Sequence, residues 1–255
     1  MRILSLANQK GGVAKSTTAA ILASGLNHRG YKVLVIDLDP QGNITASSGI
    51  DLLSVTKSIY NVFSGSTQIE KIIQSSRIGY DLATGGLRLA SADMEFTQTG
   101  REYMLREALD AVRSDYDFCI IDTPPTLGIL TVNALTASDG VIVPVTADFY
   151  SLQGLAQLNQ LIEKVKRYSN HDLKIEGLLI TRHDDRTNLS KALRENIERA
   201  AETLGTKVFS KPIRNSVAVR EAQVMQSDLF TEAPKANATQ DYNEFIDELL
   251  KGDSE

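Results

Sequence analysis

Residues 10–17 read Lys10-Gly11-Gly12-Val13-Ala14-Lys15-Ser16-Thr17, a glycine-containing loop between two apolar segments. The apolar residues 2–7 before it predict a buried strand, and the residues after it predict a helix that ends near Gly30. A strand, a glycine turn and a helix N-terminus point several backbone N–H groups at one anion. In a phosphate-binding loop of this kind, Lys15 would lie on the outer phosphates and the Ser16 hydroxyl would hold Mg²⁺.

The loop departs from the common phosphate-binding pattern, which has glycine at its first and sixth positions. Gln9 and Ala14 occupy those positions here, and a second lysine, Lys10, precedes the glycine pair. If the backbone at Ala14 needs a positive φ, alanine costs about 1 kcal/mol, whereas a helical φ costs nothing. We expect phosphate binding to persist in either case.

Length and composition predict one soluble α/β domain over residues 1–255. The 255 residues are 42% hydrophobic and 23% charged, and no Pro-, Gly- or Ser-rich linker divides them. No apolar run reaches the ~18–20 residues that span a bilayer. Cys119 is the single cysteine, which excludes an internal disulfide and a cysteine-only metal cage. With no signal peptide ahead of the first strand, we expect a cytoplasmic protein.

Strands and helices alternate along the chain, which predicts a mostly parallel twisted sheet with helices on both faces. Ligands bind such three-layer folds at the carboxyl ends of the strands. The expected further strands are residues 32–37, 80–86, 116–122, 140–145, 175–181 and 207–209. The expected further helices are residues 59–63, one starting at 67–70, then 100–113, 130–137, 151–168, 188–204 and a C-terminal helix of about 239–251. In the helix over 100–113, the inward residues should be Tyr103, Met104, Ala108, Leu109 and Val112.

Three aspartates follow apolar strands on the side where the phosphate loop must lie. Asp37 and Asp39 end the second strand, and Asp122 ends a later one. A Mg·ATP site needs a carboxylate near the metal and a group that orients the attacking water. Together the three aspartates supply both.

The segment Asn8–Thr17, with its two lysines, resembles the ParA/Soj family of chromosome and plasmid partition ATPases, in the MinD/ParA class of P-loop NTPases. The segments Asp-Leu-Asp-Pro-Gln-Gly-Asn at 37–43 and Ile-Ile-Asp-Thr-Pro-Pro at 120–125 also match the family pattern. The likeness extends from Arg2 to about Gln223. It implies a weak, Mg²⁺-dependent ATP hydrolase that partitions DNA, with ATP, ADP after hydrolysis, and Mg²⁺ as its ligands.

The resemblance also implies roles for single residues. Lys10, Lys15 and Asp39 would form the catalytic set, in which Asp39 positions water and Lys10 reaches the nucleotide of a second subunit. The metal would be held by Ser16, Asp37 and Asp122, of which Asp122 matches the family's metal-side aspartate. ATP would thus hold a sandwich homodimer together. Residues 10–17 would bind the phosphates, and Thr181 and Arg214 occupy the places where the family holds adenine. Residues 123–125 with Gly128 look like a second switch loop.

Charge is unevenly spread, because residues 160–225 hold 13 lysines and arginines against nine acidic residues. Related partition ATPases bind DNA without sequence preference through such C-terminal basic residues, and a centromere-binding, ParB-like partner stimulates their hydrolysis. The resemblance therefore implies DNA binding at the nucleoid. The basic set comprises Lys164, Lys166, Arg167, Arg182, Arg186, Lys191, Arg194, Arg199, Arg214 and Arg220.

Three alternatives share the same loop. A membrane-cycling, septum-positioning ATPase ends in a basic amphipathic helix, whereas this C-terminal helix carries Asp241, Glu244, Asp247 and Glu248. We therefore expect no membrane partner. A nitrogenase iron protein-like redox function needs two cysteines per subunit. A metabolic ligase, such as a dethiobiotin synthetase-like enzyme, needs a pocket for a small-molecule substrate, and no motif in the sequence indicates one.

Overall fold

Seven strands form one sheet at the centre of the computed structural model, which describes residues 1–147, 151–184 and 188–252. The sheet order is β3-β4-β2-β5-β1-β6-β7, and all neighbouring pairs are parallel except β3 with β4. This confirms the mostly parallel α/β fold. The strands are β1 (Arg2–Leu6), β2 (Val33–Asp37), β3 (Ile73–Ser75), β4 (Asp81–Ala83), β5 (Phe118–Asp122), β6 (Gly140–Thr146) and β7 (Lys174–Thr181).

Helices cover both faces of the sheet because alternate strand residues point to opposite sides. Leu4 packs in one core cluster with Leu22 and Phe245, whereas Ile3 packs in another with Leu105 and Ile129. Within the described ranges, no helix combines the length and apolarity needed to cross a membrane. The helices are α1 (Lys15–His28), α2 (Asn43–Ser47), α3 (Ile59–Phe63), α4 (Ala92–Glu95), α5 (Met104–Asp110), α6 (Ile129–Ala137), α7 (Ser151–Tyr168), α8 (Asn188–Thr203), α9 (Val217–Val224), α10 (Leu229–Glu232) and α11 (Asn237–Lys251).

The helix α1 that follows the loop is held from two sides. It lies between the sheet and α11, which starts two residues before the expected C-terminal helix. A Cβ at Gly25 would collide with the side chains of Ile246 and Phe230, so this close approach requires glycine. The N-terminus of α1 is therefore fixed relative to the strand ends.

Three sequence predictions of local structure are wrong. Residues 67–70 do not start a long helix, because a 3₁₀ turn at Ile69–Lys71 leads directly into the antiparallel edge strand β3. The predicted helix over 100–113 is shorter, since a 3₁₀ turn precedes α5. Leu109 and Val112 are buried as predicted, whereas Tyr103, Met104 and Ala108 are only half-buried and Leu105 is buried as well. The stretch 207–209 forms a single bridge, Leu178 with Val208, instead of a strand.

Candidate functional site

The loop of residues 10–17 lies at the carboxyl end of β1, between β5 and β6. Gly12 has φ +77°, and Ala14 has φ +62° and ψ +32°, the left-handed conformation. The Ala14 carbonyl then accepts the Thr18 N–H at 2.9 Å, the first helical bond at the start of α1. Alanine is thus strained here by about 1 kcal/mol, the costlier of the two expected cases.

Side chains from neighbouring strands hold the loop in place. Asn8 accepts the Lys10 N–H at 2.9 Å through Oδ1 and donates through Nδ2 to the Pro144 carbonyl at 2.7 Å. The Thr181 hydroxyl lies 3.1 Å from the Val13 carbonyl oxygen and 3.2 Å from that of Val145, and it can donate to either. Thr181 therefore ties β6 and β7 to the loop.

The two lysines differ in their surroundings. Lys15 is 7% exposed, and its Nζ donates to the Lys10 carbonyl at 3.2 Å. Burial lowers the Lys15 pKa, while Asp122 and Asp39 act in the opposite direction. The half-buried Lys10 donates through Nζ to the Thr146 hydroxyl at 3.3 Å, at the end of β6. Lys15 thus faces the carboxylates, whereas Lys10 lies at the edge towards β6.

Asp37 and Asp122 are neighbours in the register of β2 and β5, as expected for aspartates at adjacent strand ends. Asp37 is fully buried, and its carboxylate accepts the Thr45 N–H, the Thr45 hydroxyl and the Asp39 N–H at 2.6–3.1 Å. Burial raises the Asp37 pKa to about 6 in spite of these bonds. Asp37 therefore holds the turn after β2 in place. The sequence analysis missed the hydrogen bonds from Thr45 to Asp37 because no motif marks Thr45.

Asp122 lies in a different environment. Asp122 is fully buried, and neither of its carboxylate oxygens completes a hydrogen bond with a described residue. The Ser16 hydroxyl is close to the carboxylate and acts to lower its pKa. Burial and the nearby Asp37 raise the Asp122 pKa well above its ordinary value. Asp39 is 6% exposed, lines the same cavity as the loop, and accepts the Gln41 N–H at 2.9 Å.

These residues fit a hydrated Mg²⁺ better than a protein cage. Within the described ranges, no three His, Cys, Asp or Glu side chains form a metal-binding group. Mg²⁺ typically takes one or two protein oxygens and completes its shell with phosphates and water. The two orphaned oxygens of Asp122, beside the Ser16 hydroxyl, supply such a partial shell, whereas the Asp37 oxygens are already bonded.

We expect Asp122→Asn to stabilise the nucleotide-free protein at neutral pH. A buried acid with a raised pKa binds more protons in the folded state, so its contribution to stability falls as pH rises from about 4 through the folded pKa. Asparagine removes this loss, so the melting temperature of the variant should exceed that of the wild type at pH 7.5. The difference should shrink towards pH 4. Thermal unfolding in EDTA measures it, and a variant that melts lower at pH 7.5 would contradict it.

The segment 123–128, which the sequence analysis predicts to be a second switch loop, is held at both ends. The Thr123 hydroxyl donates to the Leu6 carbonyl at 2.8 Å, and Asp93 accepts the Ile129 N–H at 2.6 Å at the start of α6. A Cβ at Gly128 would collide with the Asp93 carboxylate, while φ at Gly128 is −85°. Glycine is thus required there by space.

Two adjoining cavities open beside the loop. One, of about 430 Å³, is lined by residues 11–12 and 14–17 together with Asp39. The other, of about 220 Å³, is lined by Thr181, residues 213–216 and part of α9. Both share four lining residues: Ala14, Thr17, Arg182 and Gln223. Because they share these residues, the two cavities offer one continuous lining from the phosphate-binding loop to the segment 213–216.

Gln223 and Arg182 are site residues that the sequence analysis did not assign to the nucleotide. Gln223 donates through Nε2 to the Thr17 hydroxyl at 2.9 Å, across 206 residues of sequence. No local pattern could reveal that contact. Arg182 directly follows Thr181, the last residue of β7. Because ligands bind at the carboxyl ends of parallel strands, this position could have marked Arg182 as a site residue.

Arg214 lines the second cavity, but its guanidinium binds Asp241 of α11. Arg214 Nη2 lies 2.6 Å and Nε 2.9 Å from the two oxygens of Asp241, whose side chain is fully buried. Lys211 Nζ lies 3.7 Å from the same carboxylate. This ion pair anchors the C-terminal helix to the segment that borders the cavity.

Arg214→Ala should therefore destabilise the fold by about 3 kcal/mol, because it leaves the buried Asp241 carboxylate with only the backbone N–H of residue 214 at 3.1 Å and Lys211 Nζ at 3.7 Å. Urea unfolding measures this. The matched control is Arg194→Ala, which breaks an exposed pair with Glu198 and should cost less than about 1 kcal/mol. Equal effects of the two variants would contradict the anchoring role.

The basic residues after residue 160 fall in several environments. Lys166 lies 4.0 Å from Glu163, and Arg167 lies over the ring of Tyr168. Arg199 is exposed on α8. Arg186 and the side chain of Lys191 lie outside the described residues.

Comparison with known proteins identifies close relatives over the full chain. A family model described as an AAA domain matches residues 1–175. The sporulation initiation inhibitor protein Soj of Bacillus subtilis is 37% identical over 250 residues, 97% of this chain and 98% of Soj. The chromosome partitioning protein ParA of Caulobacter vibrioides is 36% identical over 254 residues, 98% of this chain and 94% of that protein.

A solved structure of similar size shares the fold. The cobyrinic acid a,c-diamide synthase of Mycobacterium smegmatis with bound ADP and magnesium has a TM-score of 0.87 and 35% identity, covering 99% of this chain and 95% of that one.

Proposed function

This chain belongs to the ParA/Soj family of chromosome and plasmid partitioning ATPases, and on that premise we propose that it is an ATP-driven DNA partition switch. The ATP-bound form would be a homodimer that binds DNA without sequence preference, and slow hydrolysis would reset it. One observation carries the proposal: the two-lysine loop opens on a cavity lined by Asp39, beside the buried Asp122.

Mg·ATP is the ligand that best suits this site. The loop N–H groups and Lys15 would bind the phosphates, and Ser16 and Asp122 would hold Mg²⁺, which supplies charge neutralisation. Asp37 is better suited to holding the turn that carries Asp39 than to holding the metal directly, because its oxygens accept three bonds from that turn. The similar Mycobacterium smegmatis protein binds ADP with magnesium, which supports this ligand class.

Asp39 is our candidate for orienting the attacking water. It borders the phosphate cavity, and its Oδ1 accepts the Gln41 N–H, which fixes the carboxylate. The loop at 123–128 begins directly after Asp122, so a change at the terminal phosphate can reach α6 through it. Hydrolysis would then change the surface that α6 presents.

Lys10 would act on the nucleotide of a second subunit. Its ammonium group donates to Thr146 at the loop edge, on the side away from Asp122. A phosphate of the second subunit's nucleotide would give Lys10 charge-assisted hydrogen bonds, which are about twice as strong as neutral ones and would favour dimerisation. ATP would therefore hold the dimer together.

DNA binding would use exposed basic residues of α7 and α8, such as Lys164 and Arg199, through phosphate contacts that weaken steeply with salt. The proposed partner is a ParB-like, centromere-binding protein that stimulates hydrolysis. The acidic residues of α11 instead form ion pairs, such as Asp247 with Arg29 and Glu248 with Lys207, so α11 offers little to an anionic membrane.

A metabolic ligase is the second candidate, because the similar Mycobacterium smegmatis structure is described as a diamide synthase. Such an enzyme would use ATP to form an amide on a small carboxylic acid. It would need neither a dimer nor DNA. Mass spectrometry of products from ATP, glutamine and a corrinoid acid distinguishes the two functions.

Co-sedimentation with non-specific DNA tests the proposal most directly. We expect the wild-type protein to pellet with DNA in Mg·ATP and to stay in solution in ADP or without nucleotide. Added salt should release the ATP form. Equal DNA binding in all three states would contradict the switch.

A further inference from the structure

Among the basic residues that the structure describes, Arg182 alone lines both cavities beside the phosphate-binding loop. It follows β7 directly. Its Nη1 lies 4.0 Å from the position that a Cβ would take on Gly12, in the middle of the loop. The guanidinium therefore reaches over the loop of its own chain.

The backbone at Arg182 is held in an unfavourable conformation. Its φ is +53°, a value that arginine rarely adopts. Hydrogen bonds fix the chain on both sides, since His183 N donates to Ile213 O at 2.9 Å and Ile213 N donates to Ile180 O at 2.8 Å. Strain of this kind persists only where the surroundings enforce it, and it clusters at ligand sites.

The described residues provide no hydrogen bond or ion pair for the exposed Arg182 guanidinium. Arg214, on the neighbouring strand segment, has Asp241 as its partner. A guanidinium presents a planar fork of donors that matches phosphate oxygens. In the phosphate cavity, Arg182 joins Lys15 as a lining cation.

We propose that Arg182 binds the phosphate groups of the nucleoside di- or triphosphate in its own subunit, in addition to Lys15. This inference rests on the proposed function, whose nucleotide it concerns. It assigns Arg182 to the nucleotide instead of to the DNA-binding set. The strained backbone keeps the guanidinium over the loop at Gly12.

Isothermal titration of Mg·ADP and Mg·ATP into the full chain, without DNA, tests the assignment. Arg182→Met should weaken both nucleotides by about tenfold to a hundredfold, the usual effect of one charge-assisted hydrogen bond. Arg182→Gly should lose the same affinity while melting at or above the wild-type temperature, because glycine relieves the positive φ. Arg106→Met removes the same charge from the exposed face of α5 and should bind both nucleotides as the wild type does.

Salt separates a phosphate contact from stacking on the base. The affinity ratio of wild type to Arg182→Met should fall between about 0.05 M and 0.5 M NaCl if the contact is ionic. A ratio that stays constant would overturn the inference, as would unchanged affinity in Arg182→Met or an equal loss in Arg106→Met. Wild-type protein that binds no adenine nucleotide would instead overturn the proposed function.

Discussion

Lys15→Ala is expected to reduce Mg·ATP affinity by about a hundredfold or more and to abolish ATP-dependent DNA binding. Lys15 is the buried cation that faces Asp122 and Asp39, so its removal leaves carboxylates beside the incoming phosphates. A lost charge-assisted bond alone accounts for about tenfold to a hundredfold, and the uncompensated acids add to it. Titration calorimetry and DNA co-sedimentation measure the two effects.

Lys10→Ala is the matched control for that variant. It removes the same charge from the same loop, but from the side that faces Thr146. We expect this variant to bind Mg·ATP nearly as the wild type does and to remain monomeric in light scattering. If Lys15→Ala binds ATP within about threefold of the wild type, or if Lys10→Ala dimerises normally, the separate roles of the two lysines are wrong.

The convergence of the loop with Asp37 and Asp122 could be predicted because it follows from topology. Parallel strands end at one edge, and the register of β2 with β5 makes these two aspartates neighbours. The difference between them could not be predicted. It depends on Thr45, which bonds Asp37 and leaves Asp122 without such partners. Tertiary contacts therefore decide which of the two carboxylates is available to a metal ion.

Local patterns also do not reveal contacts between residues that are distant in the sequence. Residues 67–70 have the spacing of a capping box, yet the chain pairs as the edge strand β3 with β4 from Ile73 onward. Arg214 matches a base-binding position by resemblance, yet Asp241, 27 residues away, binds its guanidinium. The sequence does not decide whether the backbone at Ala14 is helical or left-handed, and its φ of +62° in the structure is left-handed.

Asp39→Ala is expected to lower ATP hydrolysis by about a hundredfold to ten-thousandfold, the usual range for loss of a residue that orients or activates the nucleophile. ATP affinity should change little, because Lys15, the loop N–H groups and Asp122 remain. The protein should then accumulate on DNA in Mg·ATP and stay there after the wild type has been released. Phosphate release and timed DNA co-sedimentation measure both consequences.

Asp39→Asn sharpens this prediction because it preserves shape and the acceptor for the Gln41 N–H, which lies 2.9 Å from Oδ1. If the carboxylate charge orients water, asparagine should be nearly as slow as alanine. If Asp39 only holds the turn, asparagine should hydrolyse ATP at the wild-type rate and leave DNA on the same schedule. Recovery of that kind would remove Asp39 from the catalytic set and leave it a purely structural role beside Asp37.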